Sequence, residues 1–273
     1  MSIRQRRPPA AAAYPTARVY AWPTLFRASQ SLRTPAPLAL TVVRHGQSVA
    51  NARGLISGTT DYPLTDSGRR SARALDVSGV FDLAVASDLQ RSQQTLTEIL
   101  MAGRARAREA ATDRRFRERS FGVLEGRRRF PIPEVAHGDL RYAPPHGESY
   151  LDLTRRCLSA LLDLLRWSYG DGPGTARGRV LVSTHAGPMR VIAALASGER
   201  DPAAVTAAAF SNLHVEEVQL QTLPWPQFVS QSDIEWSRHS TTLIDARNGA
   251  RSRNTIVIAA ANGGRRSGTV TRR

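Results

Sequence analysis

Three short apolar runs, each broken abruptly by polar residues, organise this chain. Leu40-Thr41-Val42-Val43 gives way to Arg44-His45-Gly46. Phe81-Asp82-Leu83-Ala84-Val85-Ala86 gives way to Ser87-Asp88, and Arg179-Val180-Leu181-Val182-Ser183-Thr184 to His185-Ala186-Gly187. Runs of this length, rich in aliphatic and β-branched residues, predict buried strands. Helical patterns lie between them. Thr65-Asp66-Ser67-Gly68 caps a helix to about Leu75, and Ser87 or Asp88 caps another to about Met101. From Glu148 to Tyr169, Leu151, Leu158, Leu161, Leu162 and Leu165 share a helical face with Cys157 beside them, and Pro188 suits the first turn of a helix over 189–196. A looser alternation over 213–220 predicts a late strand. Strands alternating with helices predict an α/β fold, a three-layer α/β/α sandwich with a mostly parallel central sheet.

The remaining segments lack periodicity. Residues 1–37, rich in Ala, Pro and Arg, read as a flexible extension whose Trp22, Leu25 and Phe26 are able to dock on the body. The body spans 38–230 and includes a charged, irregular stretch from about 102 to 147. Residues 231–273, rich in Ser, Thr, Arg, Asn and Gly with an Ile256-Val257-Ile258 island, read as a basic disordered tail.

Composition narrows the class. With 273 residues, 41% hydrophobic and 22% charged, the chain reads as a soluble globular protein. All 38 basic residues are arginines, for a net charge of +15. Most of that charge sits at the ends. Residues 1–38 carry six arginines and no acid, and 231–273 carry eight arginines against three acids. The basic character therefore describes the ends more than the core. Aromatics are sparse in the end segments, which argues against base stacking and against a nucleic-acid partner.

Cys157 is the only cysteine, which excludes an intramolecular disulfide and a cysteine-based metal cluster, and the expected location is cytoplasmic. The prolines in the Arg-rich leader argue against an organellar targeting helix. No stretch is long and apolar enough to predict a membrane span or a membrane partner.

The chemistry is concentrated where the strands end. In open α/β sheets ligands sit at the carboxyl ends of strands. If the three runs are neighbours, Arg44, His45, Arg91 and His185 converge on one sheet edge. Two guanidiniums beside two imidazoles suit the nonbridging oxygens of a phosphate, and a histidine there can attack phosphorus. No metal ligand spacing is visible and no cofactor is implied, since fixed guanidinium groups can take a cation's role.

Val43-Arg44-His45-Gly46-Gln47-Ser48-x-x-Asn51 resembles the signature of the histidine phosphatase superfamily, phosphoglycerate-mutase-like branch. Further elements follow in the family's order: Pro63-Leu64-Thr65-Asp66-x-Gly68, Ser87-x-Leu89-x-Arg91-x-x-x-Thr95, Phe116-Arg117-Glu118-x-x-Phe121-Gly122-x-x-Glu125-Gly126, Gly147-Glu148-Ser149 and Ser183-x-His185-x-Gly187-x-x-Arg190. The resemblance implies His45 as a nucleophile that forms a phosphohistidine, and Glu118 as the acid and base that serves the leaving oxygen and then water. It implies Arg44, Arg91 and His185 as holders of the phosphoryl oxygens, and Asn51, Ser57 and Gly58 as substrate contacts.

The mutases of this family carry a long insertion after the catalytic Glu and an H-G-N turn. Only 28 residues separate Glu118 from Gly147 here, and the turn is His185-Ala186-Gly187. The expectation is therefore a phosphomonoesterase acting on a small phosphorylated metabolite. A mutase-type isomerase is the alternative, and a non-catalytic anion- or nucleic-acid-binding protein a more distant one. Arg127-Arg128-Arg129 either line the mouth and select an acidic substrate or form a solvated basic loop, and Leu124 stands where the family has Trp.

Overall fold

The computed structural model describes Tyr14 and residues 18–129, 138–169 and 178–237. A five-stranded sheet runs in the order β3-β2-β4-β1-β5. Its strands are β1 (Arg33–Arg44), β2 (Gly79–Ala86), β3 (Ala105–Thr112), β4 (Arg179–Thr184) and β5 (Val215–Thr222). β1 pairs with β4, β4 with β2, and β2 with β3, all parallel; β5 lies antiparallel to β1. The three apolar runs are thus adjacent in space, with Arg44 registered beside Thr184 and Ala86 beside Ser183.

Their apolar continuity follows from burial on both faces. Leu38, Leu40, Val42, Leu83, Val85, Val180 and Val182 pack into one core layer. The intervening Val43, Phe81, Ala84, Ala86 and Leu181 pack into a second layer on the opposite face. The first layer is closed by α1 (Trp22–Ser31), α5 (Tyr150–Tyr169) and α6 (Ala186–Ser197), and α4 (Gln90–Met101) closes the second beside α3 (Asp66–Ala74). Two short helices, α2 (Val49–Ala52) and α7 (Pro202–Ala207), sit near the carboxyl edge.

Several sequence expectations shift. The stretch read as a flexible extension is structured from residue 18 onward. α1 buries Trp22 and Leu25, and β1 begins at Arg33 rather than 38. Pro35 and Pro37 are tolerated because that end of β1 departs from regular pairing, with a register shift between Arg33 and Leu38. β3 lies inside the segment read as irregular. Its Arg-Ala alternation escapes apolar pattern recognition because it is an edge strand whose inner side carries only Ala105, Ala107, Glu109 and Ala111. α4 starts at Gln90 with Leu89 as N-cap and no side-chain cap, so neither Ser87 nor Asp88 caps it. Residues 231–237 of the expected tail are helical, while 238–273, with the Ile256-Val257-Ile258 island, lie outside the described residues.

Candidate functional site

β1 ends in a turn that cannot accept side chains at two glycines. A Cβ on Gly46 would lie 2.8 Å from the Gly68 carbonyl oxygen, and one on Gly68 would lie 2.2 Å from the Gln47 carbonyl oxygen. This close packing fixes His45 at the mouth of the strand, 3% exposed. Its Nδ1 lies 2.7 Å from the Gly46 carbonyl oxygen. A carbonyl only accepts, so Nδ1 carries the proton and Nε2 keeps a free lone pair. Burial, reinforced by the Arg91 and Arg44 guanidiniums, pulls the imidazole well below its ordinary pKa and keeps it neutral.

His185, the N-cap of α6, packs its ring 5.0 Å from that of His45. Arg91 Nε donates to His185 Nδ1 at 3.2 Å, so Nε2 of His185 carries the proton and donates to Ser87 Oγ at 2.7 Å. Burial, then Arg91 and His45, hold this imidazole neutral as well. Arg91, fully buried, donates Nη1 to the Thr60 carbonyl at 3.0 Å and Nη2 to the Gly58 carbonyl at 2.7 Å. Each Nη retains one further N–H, a fork suited to two oxygens of an anion. Arg44 is held by donation to the Phe210 carbonyl.

Glu118 projects from the loop after β3 onto the first turn of α6. Its carboxylate accepts from Gly187 N at 3.0 Å and from Arg119 N at 2.8 Å. The approach requires glycine, because a Cβ on Gly187 would sit 2.2 Å from Glu118 Oε1. Glu125 fastens the opposite loop. Its oxygens accept from Thr59 N, Thr60 N, Phe121 N and both threonine hydroxyls. Burial would raise the pKa of this carboxyl, but those hydrogen bonds outweigh it and hold the group below its ordinary value.

A cleft of about 470 Å³ gathers these groups. All eight residues singled out from sequence line it except His185, which lies fully buried directly beneath. Gly58 contributes its carbonyl to Arg91, with φ of +48° and no room for a Cβ beside Glu125. Asn51 completes a capping box with Ser48, its oxygen also accepting from Asn212. Ser57 forms part of the rim.

Other lining residues escaped the sequence reading. Arg119 is 1% exposed and stacked between Phe121 and Tyr150, its guanidinium carbon 4.6 and 4.7 Å from the ring centres. None of its three side-chain nitrogens has a hydrogen-bond partner among the described residues. Burial pulls its pKa below the ordinary value. Arg190 donates to Ala208 O and to the Tyr150 hydroxyl, and Arg129 closes the rim. Arg190 stands in one of the sequence motifs; the position of Arg119 beside Glu118 was the only signal for it. Cys157 is core, with burial pushing its thiol up to about 12. Among the described residues no cluster of metal-ligating side chains occurs, and no helix is long and apolar enough to cross a membrane.

Residues 40–225 match the sequence profile of the histidine phosphatase superfamily (branch 1). The chain belongs to this family. Within the histidine phosphatase superfamily it is 34% identical over 165 residues to the 2,3-bisphosphoglycerate-dependent phosphoglycerate mutase of Rhizobium etli, covering 55% of this chain and 76% of that protein. The corresponding mutase 2 of Gloeobacter violaceus is also 34% identical over 165 residues, 56% of this chain and 73% of that one. Among solved structures, a mycobacterial glucosyl-3-phosphoglycerate phosphatase complexed with VO3 is 26% identical with a TM-score of 0.53, over 66% of this chain and 90% of that one. A Bacillus anthracis phosphoglycerate mutase, 17% identical with a TM-score of 0.55, covers 78% of this chain and 99% of its own, a likeness of fold.

Proposed function

We propose that this chain is a phosphomonoesterase that hydrolyses a small phosphorylated metabolite through a covalent phosphohistidine on His45. The observation that carries the reading is the 2.7 Å contact of His45 Nδ1 with the Gly46 carbonyl oxygen, which fixes the tautomer. Nδ1–H is committed to the Gly46 carbonyl, and a neutral Nε2 remains in a cleft lined by Arg44, Arg91 and Glu118. In this reading Nε2 attacks phosphorus while Arg44 and Arg91 hold the nonbridging oxygens. His185 sets the direction of the Arg91 guanidinium through the Nε–Nδ1 bond. Glu118 protonates the departing oxygen; as carboxylate it then takes a proton from the water that attacks phosphorus and releases His45. Asn51, Ser57 and Gly58 frame the phosphoryl end of the cleft.

The far wall supports a narrower substrate class. Five arginines line the cleft against one glutamate, and Arg119 is buried with unused donors. A second anionic group on the substrate, a carboxylate or another phosphate, satisfies them. The phosphoglycerate mutases among the relatives support a second reading, phosphoryl transfer between two oxygens of a phosphoglycerate. The short segment after Glu118 and the His185-Ala186-Gly187 turn favour hydrolysis.

The test is metal-free phosphate release from a panel of phosphomonoesters with and without a second anionic group, by wild type and His45→Ala. Release by wild type and none by the variant supports the phosphatase. Interconversion of 2- and 3-phosphoglycerate without net release overturns it in favour of the isomerase.

A further inference from the structure

The histidine phosphatase match begins at residue 40, yet residues well before it reach the rear of the Glu118 loop. Behind that loop lies a buried ionic cluster. Arg115, 1% exposed, donates Nε and Nη2 to Asp113 and Nη1 to Asp163 at 2.6 Å. One cation thus faces two carboxylates in the interior, with Arg166 3.8 Å from Asp163 at the edge. Such a cluster is tolerable only if its remaining lone pairs are satisfied.

The N-terminal segment satisfies them. Tyr14 is buried and donates its hydroxyl to Asp113 Oδ2 at 2.9 Å. Tyr20 donates its hydroxyl to Asp163 Oδ1 at 2.8 Å and its backbone N–H to Ser159 Oγ. The Arg18 carbonyl accepts from Arg115 Nη1 at 2.8 Å. α1 then anchors this segment through Trp22 and Leu25.

The cluster is wired to the site through the backbone. Asp113 caps the single turn Arg114–Phe116 by accepting from Arg115 N at 2.8 Å. Arg156, itself gripped by Glu148, donates to the carbonyls of Arg115, Arg117 and Glu118. Thr184 at the end of β4 donates to the Phe116 carbonyl at 2.7 Å. Arg115 is three residues from Glu118, and each intervening peptide is fixed.

We propose that the segment containing Tyr14 and residues 18–31 is a brace for the general acid, acting through Arg115 as a positioning residue. This rests on Glu118 having the role proposed above. A carboxyl that must meet a departing oxygen tolerates little displacement, so loosening Arg115 costs proton delivery before it costs binding. The groups proposed to hold the phosphoryl, Arg44 and Arg91, stand on other elements and are held by the carbonyls of Phe210, Thr60 and Gly58 rather than by this cluster.

The experiment compares Tyr14→Phe, Tyr20→Phe and the double variant with wild type, using Glu118→Gln as the benchmark. Both substitutions keep the rings; Tyr14→Phe removes the donor to Asp113, and Tyr20→Phe removes the donor to Asp163 together with the acceptor of Arg166 Nη1. kcat/KM is measured on an aryl phosphate, whose leaving group departs without a proton, and on an alkyl phosphate, whose leaving group needs one. The double variant is expected to lose about tenfold on the alkyl ester, and less than about threefold on the aryl ester. KM should stay within about twofold on both. A merely structural role lowers the folded fraction and cancels in the ratio, so an equal loss on both esters, or none, overturns the proposal.

If wild type releases phosphate from neither ester, the hydrolase reading fails by itself. The brace is then judged by amide hydrogen exchange of residues 114–119. Faster exchange in the double variant with unchanged exchange in β4 supports it, and unchanged exchange in both overturns it.

Discussion

Replacing Gly187 by alanine sets two effects against each other. Gly187 lies in the first turn of α6, and exchanging glycine for alanine in a helix is favourable by up to about 1 kcal/mol. Stability should hold or rise. The added Cβ, however, would lie 2.2 Å from Glu118 Oε1, where ordinary contact begins at 3.4 Å. The next neighbour, Leu153 Cδ2 at 3.2 Å, leaves no lateral escape for the new methyl. The carboxylate must therefore retreat by about 1 Å and give up its bond to Gly187 N. A displacement of that size at a reacting group costs about a hundredfold in rate, or about 2.7 kcal/mol of transition-state stabilisation.

The assay pairs a thermal melt with kcat/KM for an alkyl phosphomonoester. The expected result is a Tm at or above that of wild type with activity down about a hundredfold. Activity within about threefold of wild type, at an unchanged Tm, would refute the placement of Glu118 as the proton donor.

Two further outcomes follow from the site. His45 and His185 are both held neutral below their ordinary pKa, whereas in the unfolded chain each takes a proton near pH 6.5. Below about pH 6.5 the unfolded state binds more protons, so unfolding free energy from urea titrations should fall with pH by up to about 1.4 kcal/mol per unit per histidine. His45→Gln should flatten that slope by one histidine's share, and an unaltered slope would contradict the neutral assignment. Arg119→Gln should lower kcat/KM about ten- to a hundredfold for phosphomonoesters with a carboxylate or second phosphate, and leave a neutral alkyl phosphate near wild type. Equal losses on both kinds of ester would remove Arg119 from substrate selection.

The sheet's centre and the grouping of Arg44, His45 and Arg91 in one cleft were legible because both are written locally. Val42-Val43 into Arg44-His45 announces a buried strand and the cleft at its end in a few residues. Arg91 and His185 follow the same arrangement at the next two strands. What stayed hidden depends on distant partners. β3 has little apolar signal because Arg106 and Arg108 alternate with alanines, and only pairing with β2 makes it a strand. α1 lies among prolines and arginines, and its Trp22 and Leu25 acquire meaning only against α5 and the segment around Trp225. Arg119 sits in an arginine-rich loop where four arginines, Arg114, Arg115, Arg117 and Arg119, look alike in sequence. Folding stacks this one between Phe121 and Tyr150 and withholds partners from it.

Glu125 ties the Thr59–Thr60 turn to Phe121, and the carbonyls of Gly58 and Thr60 in turn hold Arg91. One carboxylate thereby joins the loop that aims the Arg91 guanidinium to the loop that carries Glu118. The opposite lip around Ala207 and Phe210 lies outside that tie, so a longer or shorter side chain there would alter the width of the cleft without loosening the Glu125 junction.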